Sequence, residues 1–332
     1  MSSAPKPTQR ISVVAPMFNE AANVAAFLDR VVAVLGPAGV DFEIVCVDDG
    51  SVDGTVAALR AAAHADPRVR PFRLSRNFGK EVAITAGLDH AKGDAVVVID
   101  SDLQHDPALM LAMLAKWREG FDVVYAQRRA RADQAPIRRA LSSAFYRMFN
   151  HIVDVRIPPG AGDYRLLDRK VVDALCQMRE RNRFMKGLFA YVGYRSAAVE
   201  YDVQDRAAGV SSWGLWRLWN FALDGITSFS TVPLRIWVYV GMLVAGCSFV
   251  AALYLVISTI LYGRDVPGYA SIVVLVLFLG GIQLLTLGVL GEYIGRIFLE
   301  VKARPLYLLD TLDERSDRLA QRTVDPVDDV RR

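Results

Sequence analysis

Two carboxylates, Asp100 and Asp102, close the apolar run Ala95-Val96-Val97-Val98-Ile99 in the segment Asp100-Ser101-Asp102-Leu103-Gln104. On an extended strand alternate side chains share a face, so these acids point one way and Ser101 points the other. Hard oxygen donors placed like this suit Mg²⁺ or Mn²⁺, ions that bridge the oxygens of a bound diphosphate. The chemistry implied is that of phosphate esters. One acidic strand end also serves ordinary turns and helix caps. A second, Val47-Asp48-Asp49-Gly50-Ser51 after Glu43-Ile44-Val45-Cys46, is built on the same plan, and open α/β sheets bind their ligands at the carboxyl ends of strands.

The elements that would hold these acids alternate along the first part of the chain. Strand-like runs at 11–15, 42–47, 95–99 and 122–125 are interleaved with helix-like runs at 21–35, 55–64 and 107–117. This predicts βαβ units around a mostly parallel sheet, with near-continuous Val and Ile marking strands buried on both faces. Asp106-Pro107 is expected to open the following helix as N-cap and first-turn residue, a structural role. No Gly-x-Gly-x-x-Gly follows the first strand and no Walker sequence occurs, so dinucleotide binding and P-loop hydrolysis lose support.

The chain has 332 residues, enough for a core-bearing domain of roughly 200 residues and a further part. No formal charge occurs from 236 to 263, about 28 positions or about 42 Å of helix against a hydrocarbon core of about 30 Å. After Arg264-Asp265 a second uncharged stretch runs to Gly291, so the pair reads as a transmembrane helical hairpin. Arg217 and Arg235 precede it, Arg296, Lys302 and Arg304 follow it, and the connecting loop holds only Arg264, offset by Asp265. The positive-inside rule then places both ends in the cytoplasm. Between sheet and hairpin, Trp213, Trp216, Trp219, Phe221 and Phe229 interleave with Arg217, Asn220 and Asp224, the pattern of an interfacial segment. A net charge of +3 without a basic stripe argues against nucleic acid. Cys46, Cys176 and Cys247 are scattered and read as small apolar residues. The first ten residues lack the apolar core of a signal peptide.

These features divide the chain into a cytoplasmic domain at 1–210, juxtamembrane amphipathic helices at 211–234 and a first transmembrane helix at 235–263. A short extracytoplasmic loop at 264–269, a second transmembrane helix at 270–295 and a cytoplasmic tail at 296–332 complete it. Beyond Tyr307 the tail is charged and poor in apolar residues, a disordered or helical end.

Several motifs together resemble a known family. Val14-Ala15-Pro16-Met17-Phe18-Asn19-Glu20, the Val47–Ser51 strand end, Leu74-Ser75-Arg76-Asn77-Phe78-Gly79-Lys80-Glu81 and the Asp100/Asp102 pair resemble the GT-A type glycosyltransferases of family two. Ala161-Gly162-Asp163-Tyr164-Arg165-Leu166, Arg183-Phe184-Met185-Lys186-Gly187-Leu188 and Ile226-Thr227-Ser228-Phe229-Ser230 ahead of a two-span hairpin are similar to its polyisoprenyl-phosphate branch, which includes bactoprenol glucosyltransferase and dolichol-phosphate mannose synthase. The resemblance implies a GT-A, Rossmann-like α/β domain followed by interfacial helices and a transmembrane hairpin. It also implies an inverting enzyme of the cytoplasmic membrane that moves one hexose, glucose from UDP-glucose, to undecaprenyl or another polyprenyl phosphate. Mannose, galactose or modified arabinose donors fit the same layout, and a catalytically silent nucleotide-sugar-binding scaffold is the alternative of another class.

By the same resemblance Pro16, Phe18, Glu20, Asp48, Asp49, Lys80, Asp100 and Ser101 bind the nucleotide sugar. Asp100, Asp102 and Gln104 hold Mg²⁺ or Mn²⁺, and Asp102 and Asp163 are catalytic, with Asp163 orienting the acceptor more than acting as a strong base. Arg128, Arg131 and Arg206 are candidate clamps for the acceptor phosphate, since guanidinium offers paired donors. The family also suggests a homo-oligomer, a tetramer. Members follow the segment matching Arg206-Ala207-Ala208-Gly209 with a Ser-Lys pair; here Ser211-Ser212 supplies no cation, leaving Arg206 or Arg217 to compensate. Pro159-Gly160 stands where a more polar pair often precedes Ala-Gly-Asp.

Overall fold

Apolar runs become the centre of an eight-stranded sheet in the computed structural model, which describes residues 10–128, 161–181, 183–201, 232–262 and 268–310. The first unit contains β1 (Ile11–Met17), α1 (Val24–Leu35), β2 (Phe42–Asp48), α2 (Thr55–Ala65), β3 (Val69–Leu74), α3 (Lys80–His90), β4 (Ala95–Val98) and α4 (Leu109–Arg118). It continues with β5 (Val123–Arg128), β6 (Ala161–Asp168), α5 (Arg169–Gln177), α6 (Met185–Tyr191) and β7 (Ser196–Tyr201). A second unit holds α7 (Val232–Tyr262) and α8 (Tyr269–Val301), after which β8 (Leu309–Asp310) belongs again to the first.

The strand order is β7-β5-β6-β4-β1-β2-β3-β8. β1, β2, β3 and β4 form the expected parallel set, and β5 pairs parallel with β7. β6 runs antiparallel to both β4 and β5, and β8 antiparallel to β3. Six of the eight strands run one way, as expected, and the sheet is mixed because the Ala161–Asp168 strand inserts between two strands pointing the other way and β8 reverses at the edge. β1, β2 and β4 are buried at every position, as strands covered on both faces require. α1 lays Val24, Phe27, Leu28, Val31 and Leu35 on the sheet at helical spacing. Glu43, fully buried near the amino end of β2, accepts from Ser12 Oγ at 2.6 Å, Arg70 Nη1 at 2.7 Å and Lys92 N at 2.7 Å. Burial alone would raise its pKa; these donors outweigh that and hold it below the ordinary value.

Three local expectations need correction. β4 stops at Val98, so Asp100, Ser101 and Asp102 sit on a turn, not on an extended strand. α4 begins at Leu109, where Asp106 Oδ1 accepts from Ala108 N at 2.9 Å; Asp106 shapes the approach and is not the N-cap. The chain past Tyr307 is not simply a charged tail, since Leu309 and Asp310 extend the sheet.

In the second unit α7 has 31 residues and α8 has 33, and the two helices touch each other. Leu243, Phe249, Tyr254, Leu284, Leu287 and Ile297 are exposed. Within α8, Phe278–Val301 is long and apolar enough to cross a membrane, the one such stretch among the described residues. The interfacial segment read at 211–230 lies outside the described residues.

Candidate active site

The carboxyl ends of β1, β2 and β4 and the amino end of α3 surround a cavity of about 420 Å³. The first strand and its loop contribute Pro16, Met17, Phe18 and Glu20; the end of β2 contributes Asp49. The β3–α3 connection supplies Asn77, Gly79, Lys80 and Ala83, and the turn after β4 supplies Asp100, Ser101 and Asp102. The acidic pair does converge on one space. It does so because buried Ser101 donates from Oγ to Pro16 O at 3.3 Å and pins the turn, leaving the two flanking carboxylates at the wall.

The loops above this cavity are stitched together. Asn19, at φ 55°, donates from its main chain to Ser51 Oγ at 2.9 Å and accepts from Val52 N at 3.0 Å. Glu20 N donates to Thr55 Oγ1 at 2.9 Å. Asp49 receives Phe78 N at 2.7 Å and Gly79 N at 2.9 Å, so both its oxygens fix the β3–α3 loop. Asp48 faces elsewhere: it is fully buried, accepts from Ser51 N at 3.2 and 3.3 Å, and lies 3.7 Å from Arg73 Nε. Burial raises both carboxyls, partly offset by these donors. Of the two adjacent acids, only Asp49 reaches the cavity wall.

Lys80 joins the two halves of the site. Its Nζ lies 2.8 Å from an Asp100 oxygen and 2.8 Å from Asp163 Oδ2. Burial disfavours the charged amine, but the two carboxylates outweigh this and raise its pKa, so Lys80 is a fixed cation and not a base. Asp163, on β6, also has Lys186 Nζ at 3.9 Å. Burial would raise Asp163; the two lysines overcome it and hold the carboxyl below the usual range. Glu81 sits behind them and receives Met185 N at 3.2 Å. Burial, reinforced by the charge of Asp163, pushes its carboxyl up to about 7. Arg165, buried beside Asp163, donates from Nε to Gly162 O at 3.0 Å and lies 4.5 Å from the centre of the Phe189 ring.

Asp100 and Asp102 are hard oxygen donors opening on a space with room for water and diphosphate oxygens, the kind of site that suits a divalent ion held by two carboxylates. Among the described residues no group of three His, Cys, Asp or Glu side chains is placed to hold a metal. Gln104 is exposed and away from the cavity wall; its main-chain N–H donates to Asp102 Oδ1 at 3.1 Å. Arg128 closes β5, while Arg131 and Arg206 lie outside the described residues. Sequence reasoning assigned no role to Asn77, Gly79, Glu81 or Lys186, although all four fall within segments singled out for their pattern.

Residues 12–176 match the model of glycosyl transferase family 2, and residues 232–297 match that of the GtrB C-terminal hairpin. An uncharacterized glycosyltransferase of Synechocystis sp. is 49% identical over 92% of this chain and 96% of its own length. The chain belongs to glycosyl transferase family 2. Within this family, the SfII prophage-derived bactoprenol glucosyl transferase of Shigella flexneri is 45% identical, over 90% of this chain and 97% of that protein. The prophage bactoprenol glucosyl transferase homolog of Escherichia coli K12 is 44% identical, over 90% and 98%. Among solved structures, a mannosyltransferase from Pyrobaculum calidifontis in complex with GDP-Man and Mn²⁺ aligns with a TM-score of 0.46 at 20% identity, over 89% of this chain and 87% of that one. The last likeness is too loose to bear on the chemistry. The glycosyltransferase assignment rests on the family match and the close relatives.

Proposed function

We propose that this family 2 enzyme transfers one hexose, glucose from UDP-glucose, to a polyprenyl phosphate. The observation that carries the reading is Lys80, whose single ammonium binds Asp100 at the cavity wall and Asp163 on β6. A cation shared in this way links a diphosphate-binding edge to a carboxylate suited to the acceptor. The bactoprenol relatives support a lipid carrier as that acceptor.

On this reading Phe18, 45% exposed at the cavity mouth, Pro16 and Glu20 meet the nucleoside. Asp49 acts through the loop it holds, and Asp48 through Ser51 and Arg73. Asp100 and Asp102 would hold Mg²⁺ or Mn²⁺, which when bound supplies positive charge to the departing diphosphate. Lys80 adds a permanent charge beside it. A lipid phosphate, with a second pKa near 6, is largely ionised at neutral pH and needs no strong base. An Asp163 held ionised by two lysines is suited to orient the acceptor, not to strip a proton from it. Single displacement of an α-linked donor inverts the anomeric centre. Arg128, Arg131 and Arg206 remain proposed phosphate clamps. α7 and α8 are proposed as the membrane hairpin, with both chain ends cytoplasmic by the positive-inside rule.

The test is metal-dependent release of UDP from UDP-glucose in the presence of polyprenyl phosphate. Asp102→Asn should remove turnover with the circular dichroism spectrum unchanged, since one anionic ligand is lost from the diphosphate edge. Retained turnover at ordinary Mg²⁺ would overturn the metal assignment. A silent scaffold would release no UDP, and a screen of nucleotide sugars identifies the hexose.

A further inference from the structure

The residues that follow α8 fasten onto the β3–α3 unit, in contacts that the reaction scheme above does not use. Tyr307 Oη donates to Asp89 Oδ2 at 2.9 Å, an oxygen that also receives Arg179 Nη1 at 2.7 Å. The Tyr307 ring lies 6.3 Å from that of His90. Leu308 O accepts from Ser75 N at 2.9 Å. Leu309 and Asp310 pair with Leu74 and Arg73, and Asp310 Oδ2 lies 3.8 Å from Arg73 Nη1. Arg73 continues the link to Asp48, 3.7 Å from its Nε.

These contacts have a shared geometry. Asp89 and His90 are the end of α3, Arg73 and Leu74 the end of β3, and Ser75 the first residue beyond it. The segment thus grips both elements that flank the 75–79 loop. That loop brings Asn77 and Gly79 to the cavity and leads into Lys80. On the sheet side it is tied by Phe78 N and Gly79 N to the single carboxylate of Asp49, and on the helix side by Gly79 O, which accepts from Val82 N and Ala83 N at 3.0 Å. β3 has β2 on one side and β8 on the other, so without β8 it would be an uncovered edge strand. Edges and chain ends open locally at far lower cost than a sheet interior.

We propose that Tyr307, Leu308, Leu309 and Asp310 form a positioning strap for the donor site, holding the 75–79 loop and Lys80 in register with Asp49 and Asp100. The inference rests on the reading that the cavity binds a nucleotide sugar. It goes further in making residues beyond the hairpin part of donor recognition, through contacts that never reach the ligand.

The experiment uses the full-length protein with Tyr307→Phe and Asp310→Asn combined, alongside a protein ended after Val301. UDP-glucose binding is titrated calorimetrically with Mg²⁺ present, and amide exchange is followed across the first unit. The strap predicts donor affinity and donor KM weakened roughly tenfold in the double variant, as for losing one or two hydrogen bonds to charged groups. kcat at saturating donor and KM for the lipid phosphate should change by less than about twofold, while the amides of Phe78 and Gly79 exchange faster. Unchanged affinity and unchanged exchange in both variants would overturn the proposal. So would a uniform loss of protection over the whole sheet, which would mark a merely structural edge. If the parent protein bound no UDP-glucose, the donor-site reading would fail, and local exchange at 75–79 would still decide whether the strap holds the loop.

Discussion

Glu81 shows how the site stores a charge conflict one residue away from its principal cation. Its carboxyl is pushed up to about 7, first by burial and then by Asp163, against an ordinary value of 4.5. Between these values the folded protein holds a proton that the unfolded chain has released, so the stabilisation is complete below pH 4.5 and is lost as pH rises through 7. Glu81→Gln keeps an acceptor for Met185 N and removes the charge. It should melt about 2–6 °C above the parent protein at pH 8, with the difference gone at pH 4, as thermal scans at the two pH values would show. An equal offset at both pH values would show that Glu81 is not the titrating group. The acidic pair at 100 and 102 was legible at this scale from residue type and spacing alone. Its geometry was not, because the hydrogen bond from Ser101 to Pro16 crosses 85 residues of sequence. Glu81 and Met185 are 104 residues apart, and no local pattern announces such a pair.

At the level of elements, legibility followed burial. β1, β2 and β4 are nearly continuous apolar runs and their ends were readable to within two residues. β3 reads Val-Arg-Pro-Phe-Arg-Leu, with partly exposed middle positions, and lacks either clean period. α3 is buried over most of its length, so its apolar residues form no single stripe. β8 has only two residues, too few for any periodicity to exist. The loops depend on close approach as well as hydrogen bonds. Gly50 has φ 72°, and a Cβ there would lie 2.6 Å from Asn77 N and closer still to the Arg76 carbonyl carbon. Gly50→Ala therefore strains its own backbone by about 1–2 kcal/mol and also displaces the 75–79 loop. Gly39, at φ 64° with nothing within 4 Å, supplies the control. Both alanine variants should lose thermal stability, but only Gly50→Ala should weaken UDP binding by calorimetry, on the order of tenfold or more. Equal nucleotide affinity in the two would separate the Gly50 contact from the donor site.

At the scale of the whole chain, the hairpin's apolar length was readable directly from composition, whereas its insertion before the last strand of the catalytic sheet was not. Covalent order makes it a long interruption between β7 and β8, with Tyr307 and Asp310 beyond it. This changes what a truncation can test. Removing everything after Ser211 deletes the proposed anchor together with the strap, so a loss of activity would confound membrane delivery with donor binding. A polyprenyl tail keeps about 0.8 kcal/mol for each CH₂ left in hydrocarbon, so the proposed acceptor stays in the bilayer and the site must be brought to it. The two contributions separate if Ser211 is joined to Arg304 through a flexible Gly/Ser linker of about 30 residues, which spans roughly 30 Å and leaves the proposed clamp Arg206 in place. This protein should bind UDP-glucose nearly as well as the full chain while failing to glycosylate long-chain polyprenyl phosphate in vesicles. A chain ended at Ser211 should be weaker in donor binding as well. Full turnover by the linked protein on the vesicle-borne lipid would show that the hairpin delivers nothing the catalytic unit lacks.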